Sequence, residues 1–267
     1  MALKRLNPNK GEGPDGVCPR LLRFCADQLA VPLQRLFTLS LWTGIVPDQW
    51  KTSCIVPVPK NTHPTQLNDY RPVALTSHIM KTLERLALDH LKPLTRPAQD
   101  PLQFGYQHGV GVEDAVLYLI HRTYSHLEVQ GCQVRITFFD FSSAFNTIRP
   151  TLLKEKLSRM EVPSFMIEWI MDYLRDRPQY VRLASCVSDT AVCNTGAPQG
   201  TVLAPYLFTL YTSDFSYNSE TCHVQKYSDD TALVARVKDG KEAEYRGVVS
   251  AGYRFKCQES IRFRFST

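Results

Sequence analysis

No two of the eight cysteines stand in a Cys-x-x-Cys pair. They are scattered at Cys18, Cys25, Cys54, Cys132, Cys186, Cys193, Cys222 and Cys257, without the paired spacing of a structural zinc site. No run of 18 apolar residues occurs, so the sequence has no segment of the kind that crosses a bilayer as a helix. The opening "MALKRLNPNK" is polar and basic and carries none of the apolar stretch of a secretory signal. Internal repeats and low-complexity tracts are missing too, which argues against solenoids and disordered tails. Together these absences give the expectation of an intracellular protein with reduced thiols and no membrane partner.

What is present describes a folded chain. Of 267 residues, 43% are hydrophobic and 21% charged, and 3 Trp, 12 Tyr and 13 Phe supply large side chains for a core. That length suits one large domain or two small ones. The net charge of +5 and the pI near 8.7 permit a polyanionic partner without requiring one.

The pattern along the chain alternates helix and strand without a regular βαβ rhythm, which predicts an α+β fold. "PRLLRFCADQLAVPLQRLFTLSLWTG" has helical spacing, with Asp15 or Gly16 at its opening and a break or fresh first turn at Pro32. "TSCIVPVPK" reads as a short strand, Ser53 to Val58, whose prolines suit a sheet edge. "NDYRPVALTS" reads as a loop leading into the helix "HIMKTLERLALDHLKPL", which has apolar positions at Ile79, Leu83, Leu86 and Leu91. "VEDAVLYLIHRTYSHLEV" is a further helix, with Glu113 and Asp114 in its first turn. "CQVRITFFDFS" is a strand that ends in Asp140, and Pro163 breaks the helical stretch that follows. "QYVRLAS" and "DTAVCNTGAPQG" read as a strand pair, and Val202 to Phe215 as an apolar helix. "CHVQKYSDDTALVARV" reads as strand, turn, strand, with Asp229 and Asp230 at the turn.

Two adjacent carboxylates beside apolar strands have an ordinary explanation, a tight turn rich in Ser and Asp. Asp140 has one as well, as a helix cap. A second explanation joins them. If the strand of Asp140 neighbours the hairpin of Asp229 and Asp230, the three acids converge, and divalent cations would offset their repulsion. Two-metal sites of that composition drive phosphoryl transfer.

The same segments, taken in order, resemble the reverse transcriptase of non-LTR (LINE-type) retrotransposons. "NKGEGPDG" is similar to that family's N-terminal extension motif, and "CIVPVPK" and "NDYRPVALTS" to its fingers segment. "QFGYQHGVGVEDAV" is similar to the next block. "FFDFSSAFNTI" resembles polymerase motif A, "NTGAPQGTVLAPYLFTLYTSD" motif B and "YSDDTALV" motif C. The resemblance implies a right-hand polymerase with an antiparallel palm sheet packed on helices. It implies an N-terminal extension over residues 1–50, fingers over 51–130 and a palm over 131–240 with motif B near 194–214. Residues 241–267 are then a divergent tail in place of the thumb.

The activity implied is RNA-directed DNA polymerisation, with an RNA template, a DNA primer, deoxynucleoside triphosphates and two magnesium ions, or manganese in their place. Nuclear residence is the family expectation, and oligomeric state is left open. Asp140 and Asp229 match the metal-binding aspartates and Asp230 the third catalytic acid, with the Phe141 carbonyl as a further metal ligand. Phe145 matches the aromatic gate that excludes a ribose 2′-hydroxyl, which argues against an RNA-synthesising viral polymerase. Lys60 and Arg71 match basic residues that hold the incoming triphosphate, a task suited to arginine. Gly196, Pro198, Gln199 and Gly200 match the motif B loop. The alternative is an inactive truncated remnant that at most binds nucleic acid. From Tyr253 onward apolar and basic residues alternate, which predicts a loosely packed strand-like tail unlike the family.

Overall fold

The computed structural model describes residues 2–141, 144–238, 242–254 and 257–258. In chain order its elements are α1 (Pro19–Phe24), α2 (Ala26–Thr43), α3 (Asp48–Lys51), β1 (Ser53–Pro59), β2 (Tyr70–Leu75), α4 (His78–Thr95), α5 (Val112–Leu127) and β3 (Cys132–Phe141). There follow α6 (Pro150–Arg159), α7 (Ser164–Leu174), β4 (Arg177–Leu183), β5 (Cys186–Val187), β6 (Ala191–Cys193), α8 (Ala204–Tyr211), β7 (Cys222–Tyr227), β8 (Asp230–Lys238), α9 (Ala243–Arg254) and β9 (Cys257–Gln258). The mixture of helices and sheets is the α+β class that the alternation predicts. The chain forms two compact units, each discontinuous: 1–97 with 145–207, and 98–144 with 208–267. In the second unit α5 packs on the sheet that holds β3.

In the first unit, one face of α2 buries Ala26, Leu33, Phe37 and Ser40, and the helix runs unbroken through Pro32. Pro32 lies on the exposed side, and the burial of the opposite stripe outweighs its missing backbone bond. The helical break falls instead at Cys25, between α1 and α2. Trp169 of α7 is fully buried and donates through Nε1 to Ser40 Oγ at 3.0 Å. Lys51, also buried, pairs with Asp172 at 2.8 Å.

The sheet of this unit runs β2-β1-β4-β5, with β6 on β4. Two sequence expectations change here. "YRPVAL" is a strand, β2, rather than a loop. β1 is not an edge: it pairs antiparallel with β2 and parallel with β4. Its prolines are tolerated because β4 reaches only Ser53, Cys54 and Ile55, leaving Pro57 and Pro59 beyond that ladder. On α4 the buried apolar stripe is Met80, Leu83, Ala87 and Leu91, while Leu86 is exposed.

In the second unit the sheet order is β7-β8-β3-β9, antiparallel throughout. Alternation along β3 divides its side chains between two helices. Val134 and Ile136 face α5, packing with Val234 against Leu119 and Leu127. Thr137 and Phe139 face α9: the Thr137 hydroxyl meets the Tyr245 hydroxyl at 2.7 Å, and a Cβ on Gly252 would lie 2.5 Å from the Phe139 ring. α9 therefore corrects the strand expected from Tyr253. Tyr245, Val248 and Gly252 are buried at helical spacing, and that stripe continues the helix through Arg254. Of the remaining tail, Phe255, Lys256 and Ile261 to Phe265 lie outside the described residues.

Candidate active site

β7 and β8 pair from Cys222↔Ala235 to Tyr227↔Asp230, so Ser228 and Asp229 form a two-residue hairpin loop. Ser228 has φ +61°, the left-handed region, and Asp229 does not, which matches a type II′ turn. Holding a non-glycine residue there costs about 1 kcal/mol, so the surroundings must enforce it. The adjoining strand is anchored at Lys226, which is 2% exposed. Its Nζ meets Asp100 at 2.7 Å and donates to the carbonyls of Thr212 and Phe215.

The neighbouring strand brings the third acid. β3 and β8 pair up to Phe139↔Thr231, and one further step of that register aligns Asp140 with Asp230. Residues opposite in an antiparallel ladder point to the same face, with Cβ atoms about 5 Å apart. Both carboxylates emerge on the face of Val134, Ile136 and Val234, and both are exposed. The Asp230 carboxyl is pushed above its ordinary value by partial burial, then by Asp229 and then by Asp140. Asp229 Oδ1 accepts a hydrogen bond from Ser228 Oγ at 2.8 Å. Among the described residues no three acidic, histidine or cysteine side chains close on a single ion. The donor chemistry nevertheless fits a hard divalent cation, since all three are carboxylates whose mutual repulsion a cation would relieve. The Phe141 side chain is buried edge-on to Phe208 at 5.6 Å, and its backbone pairs with Cys257 of β9.

A family model described as reverse transcriptase (RNA-dependent DNA polymerase) matches residues 58–253. The chain belongs to that family. Its relatives include the RNA-directed DNA polymerase from mobile element jockey of Drosophila melanogaster, 27% identical over 88% of this chain. The probable RNA-directed DNA polymerase from transposon BS of the same fly is 28% identical over 87%. The Pol polyprotein from type-2 retrotransposable element R2DM is 24% identical over 79%. These are non-LTR elements, as the order of the motif blocks implied. The chain spans 27% of the jockey and BS proteins and 19% of R2DM. The family match runs to residue 253 and so takes in most of α9.

The residues expected to handle the nucleotide belong to the first unit of this reverse transcriptase fold. The motif B loop lies between two backbones. Gly196 N donates to Ile148 O and Ala197 N to Phe145 O, at 2.9 and 2.8 Å. A Cβ on Gly196 would fall 2.6 Å from Asn146 Cα, so only glycine allows this approach. At the other end of the loop Ala74 N donates to Gln199 O, and Gly200, with φ +106°, presses on the Ala74 carbonyl. Pro198 lies between these contacts and accepts from Thr201 Oγ1. Phe145 is half-buried. Lys60 and Arg71 share one end of the β1–β2 hairpin: Val58 pairs with Arg71, and Lys60 N donates to Asp69 O. Both are exposed, with Lys60 Nζ on the Asn68 carbonyl at 2.7 Å.

Two polar anchors were not foreseen. Lys226 had no visible partner in the sequence, because Asp100 is remote along the chain. Glu84 was detectable: it falls on the buried stripe of α4 between Met80 and Ala87. Its Oε2 accepts from Val202 N and Leu203 N, at 2.5 and 2.9 Å. That contact shortens the expected helix at Val202, and α8 begins at Ala204. Burial pushes the Glu84 carboxyl up to about 7.

Proposed function

We propose that this chain is the catalytic core of a retrotransposon reverse transcriptase, joining deoxynucleotides to a DNA primer on an RNA template. The observation that carries the reading is the alignment of Asp140 with Asp230 at the corner where Asp229 turns. Reverse transcriptases use divalent metal ions. In the proposal Asp140 and Asp229 hold two magnesium ions, with manganese as a substitute, Asp230 stands beside them, and the Phe141 carbonyl completes the set. Bound there, the ions would supply activation of the primer 3′-hydroxyl and neutralise charge on the leaving pyrophosphate.

The chain's own residues do the rest. Lys60 and Arg71 hold the triphosphate as point charge and fork. Gly196, Pro198, Gln199 and Gly200 let the backbone approach nucleotide and template. Phe145 excludes a 2′-hydroxyl by bulk. On this reading the fingers lie within 51–130 and the palm within 131–240 of a right-hand architecture.

Primer extension by the purified chain on an RNA template, with deoxynucleotides and magnesium, is the direct test. Magnesium-dependent extension is expected, and a chain that binds the duplex without extending it would be an inactive remnant instead. In an extending enzyme, Phe145→Val should raise ribonucleotide incorporation relative to deoxynucleotide. Unchanged sugar selectivity would remove Phe145 from the gate.

A further inference from the structure

The turn that carries Asp229 does not hold itself. It rests on the segment Gln103-Phe104-Gly105-Tyr106 of the same unit. Gln103 is 5% exposed, and its side-chain amide engages Ser228 from both sides. Nε2 donates to Ser228 O at 3.2 Å, and Oε1 accepts from Ser228 N at 3.1 Å. The same Oε1 accepts from Gly105 N at 2.9 Å. A Cβ on Gly105 would lie 2.2 Å from Ser228 N, so the two backbones meet where no side chain fits. On either side of Lys226 the ladder continues: Phe104 N donates to Lys226 O at 2.7 Å and Lys226 N to Leu102 O at 2.8 Å.

A hydrogen-bond chain runs from this segment to the acid. Ser228 Oγ donates its one proton to Asp229 Oδ1, so the Tyr106 hydroxyl, which touches Ser228 Oγ, must be the donor in that contact. The left-handed φ of Ser228 is thus enforced by an amide that satisfies both its N–H and its C=O. The direction of the Asp229 carboxylate is then set by the hydroxyl that Tyr106 orients.

We propose that Gln103, Gly105 and Tyr106 are positioning residues that clamp the Ser228 corner and fix where the Asp229 carboxylate points for a divalent cation. This rests on the reading of Asp229 as a metal ligand. The clamp acts through Ser228 and touches neither substrate nor metal. An apolar side chain at 103 leaves the Ser228 backbone without its amide partner, and the corner relaxes. A glutamate there keeps the acceptor but loses the donor, and it adds a charge near Asp229. Tyr106→Phe removes only the last link of the chain.

The test uses the full chain and two readouts. Amide hydrogen exchange reports the Ser228 N–H directly, and titration with Mn²⁺ followed by electron paramagnetic resonance reports cation affinity without any turnover. Gln103→Leu should speed exchange at Ser228 and raise the Mn²⁺ dissociation constant about tenfold, the ordinary effect of losing a partner that orients a ligand. Gln103→Glu should recover the slow exchange in part, and Tyr106→Phe should weaken Mn²⁺ binding while leaving exchange at Ser228 slow. Because Tyr106 is 42% exposed, that variant should fold even if the Gln103 variants do not. Asp229→Asn is the reference for loss of the ligand. Unchanged exchange in Gln103→Leu would overturn the clamp. So would Mn²⁺ affinity that stays at the parent value in Gln103→Leu and Tyr106→Phe but is lost in Asp229→Asn. Parent-like Mn²⁺ binding in Asp229→Asn would instead refute the metal reading of the turn, and with it the positioning role, whatever the exchange rates show.

Discussion

The Asp230 carboxyl titrates above its ordinary value because it is partly buried and faces Asp229 and Asp140. Removing one of the three charges relieves repulsion in the folded state. Asp140→Asn should therefore abolish primer extension while the melting temperature stays level or rises. A lower melting temperature would mean that Asp140 is structural. Glu84 gives the opposite kind of test. Its folded value of about 7 lies above the ordinary 4.5, so between those values the folded state keeps a proton that the unfolded chain has lost. Stability is fully present below the lower value and falls as pH rises through the upper one. Glu84→Gln retains an acceptor for Val202 N and Leu203 N and cannot ionise. Its urea midpoint should stay flat from pH 5 to 8 where the parent's declines, a difference of about 3 kcal/mol at the alkaline end. Parallel profiles would show that Glu84 does not govern the change.

At the scale of elements, the hairpin of β7 and β8 is fastened by one buried ion pair. Lys226 and Asp100 have side chains only 2% and 3% exposed. Such a pair adds little over an apolar replacement, but removing one partner strands a charge. Asp100→Ala should cost about 3–5 kcal/mol in chemical denaturation, and Asp100→Asn less, since the amide still accepts a hydrogen bond. A loss under 1 kcal/mol for Asp100→Ala would mean that the two carbonyls of Thr212 and Phe215 suffice for the ammonium. The same hairpin shows what its sequence could tell. Strand, turn and strand in "CHVQKYSDDTALVARV" follow from alternation and turn chemistry. The partner of Lys226 lies more than a hundred residues away along the chain, and nothing local points to it.

The whole molecule carries a net charge of +5. On the proposed reading it grips a primer–template duplex mainly through phosphates, and such a grip releases counterions. Affinity for a primer–template duplex, followed by fluorescence anisotropy, should fall linearly on a log–log plot as salt rises from 50 to 200 mM, by about tenfold or more. Affinity indifferent to salt would count against a phosphate-based grip. Among the described residues no helix is long and apolar enough to cross a membrane.

Sequence alone determined the helices of α4, α5, α6 and α7, the hairpin of β7 and β8, and the family, because these depend on local period, turn residues and ordered motif blocks. It also singled out Asp140, Asp229 and Asp230. It misread β2 as a loop and β1 as an edge, since a proline-bearing strand reveals its neighbours only when β4, which follows α7 in the chain, pairs with it. It ran a strand pattern over Tyr253 and Arg254, where burial of Tyr245, Val248 and Gly252 against the β3–β8 sheet selects helix. The alignment of Asp140 with Asp230, the choice of Val202 N and Leu203 N as partners of Glu84, and the grip of Gln103 on Ser228 belong to tertiary structure alone. Each joins groups distant along the chain, and sheet register and close backbone approach, which no local pattern encodes, decide which atoms meet.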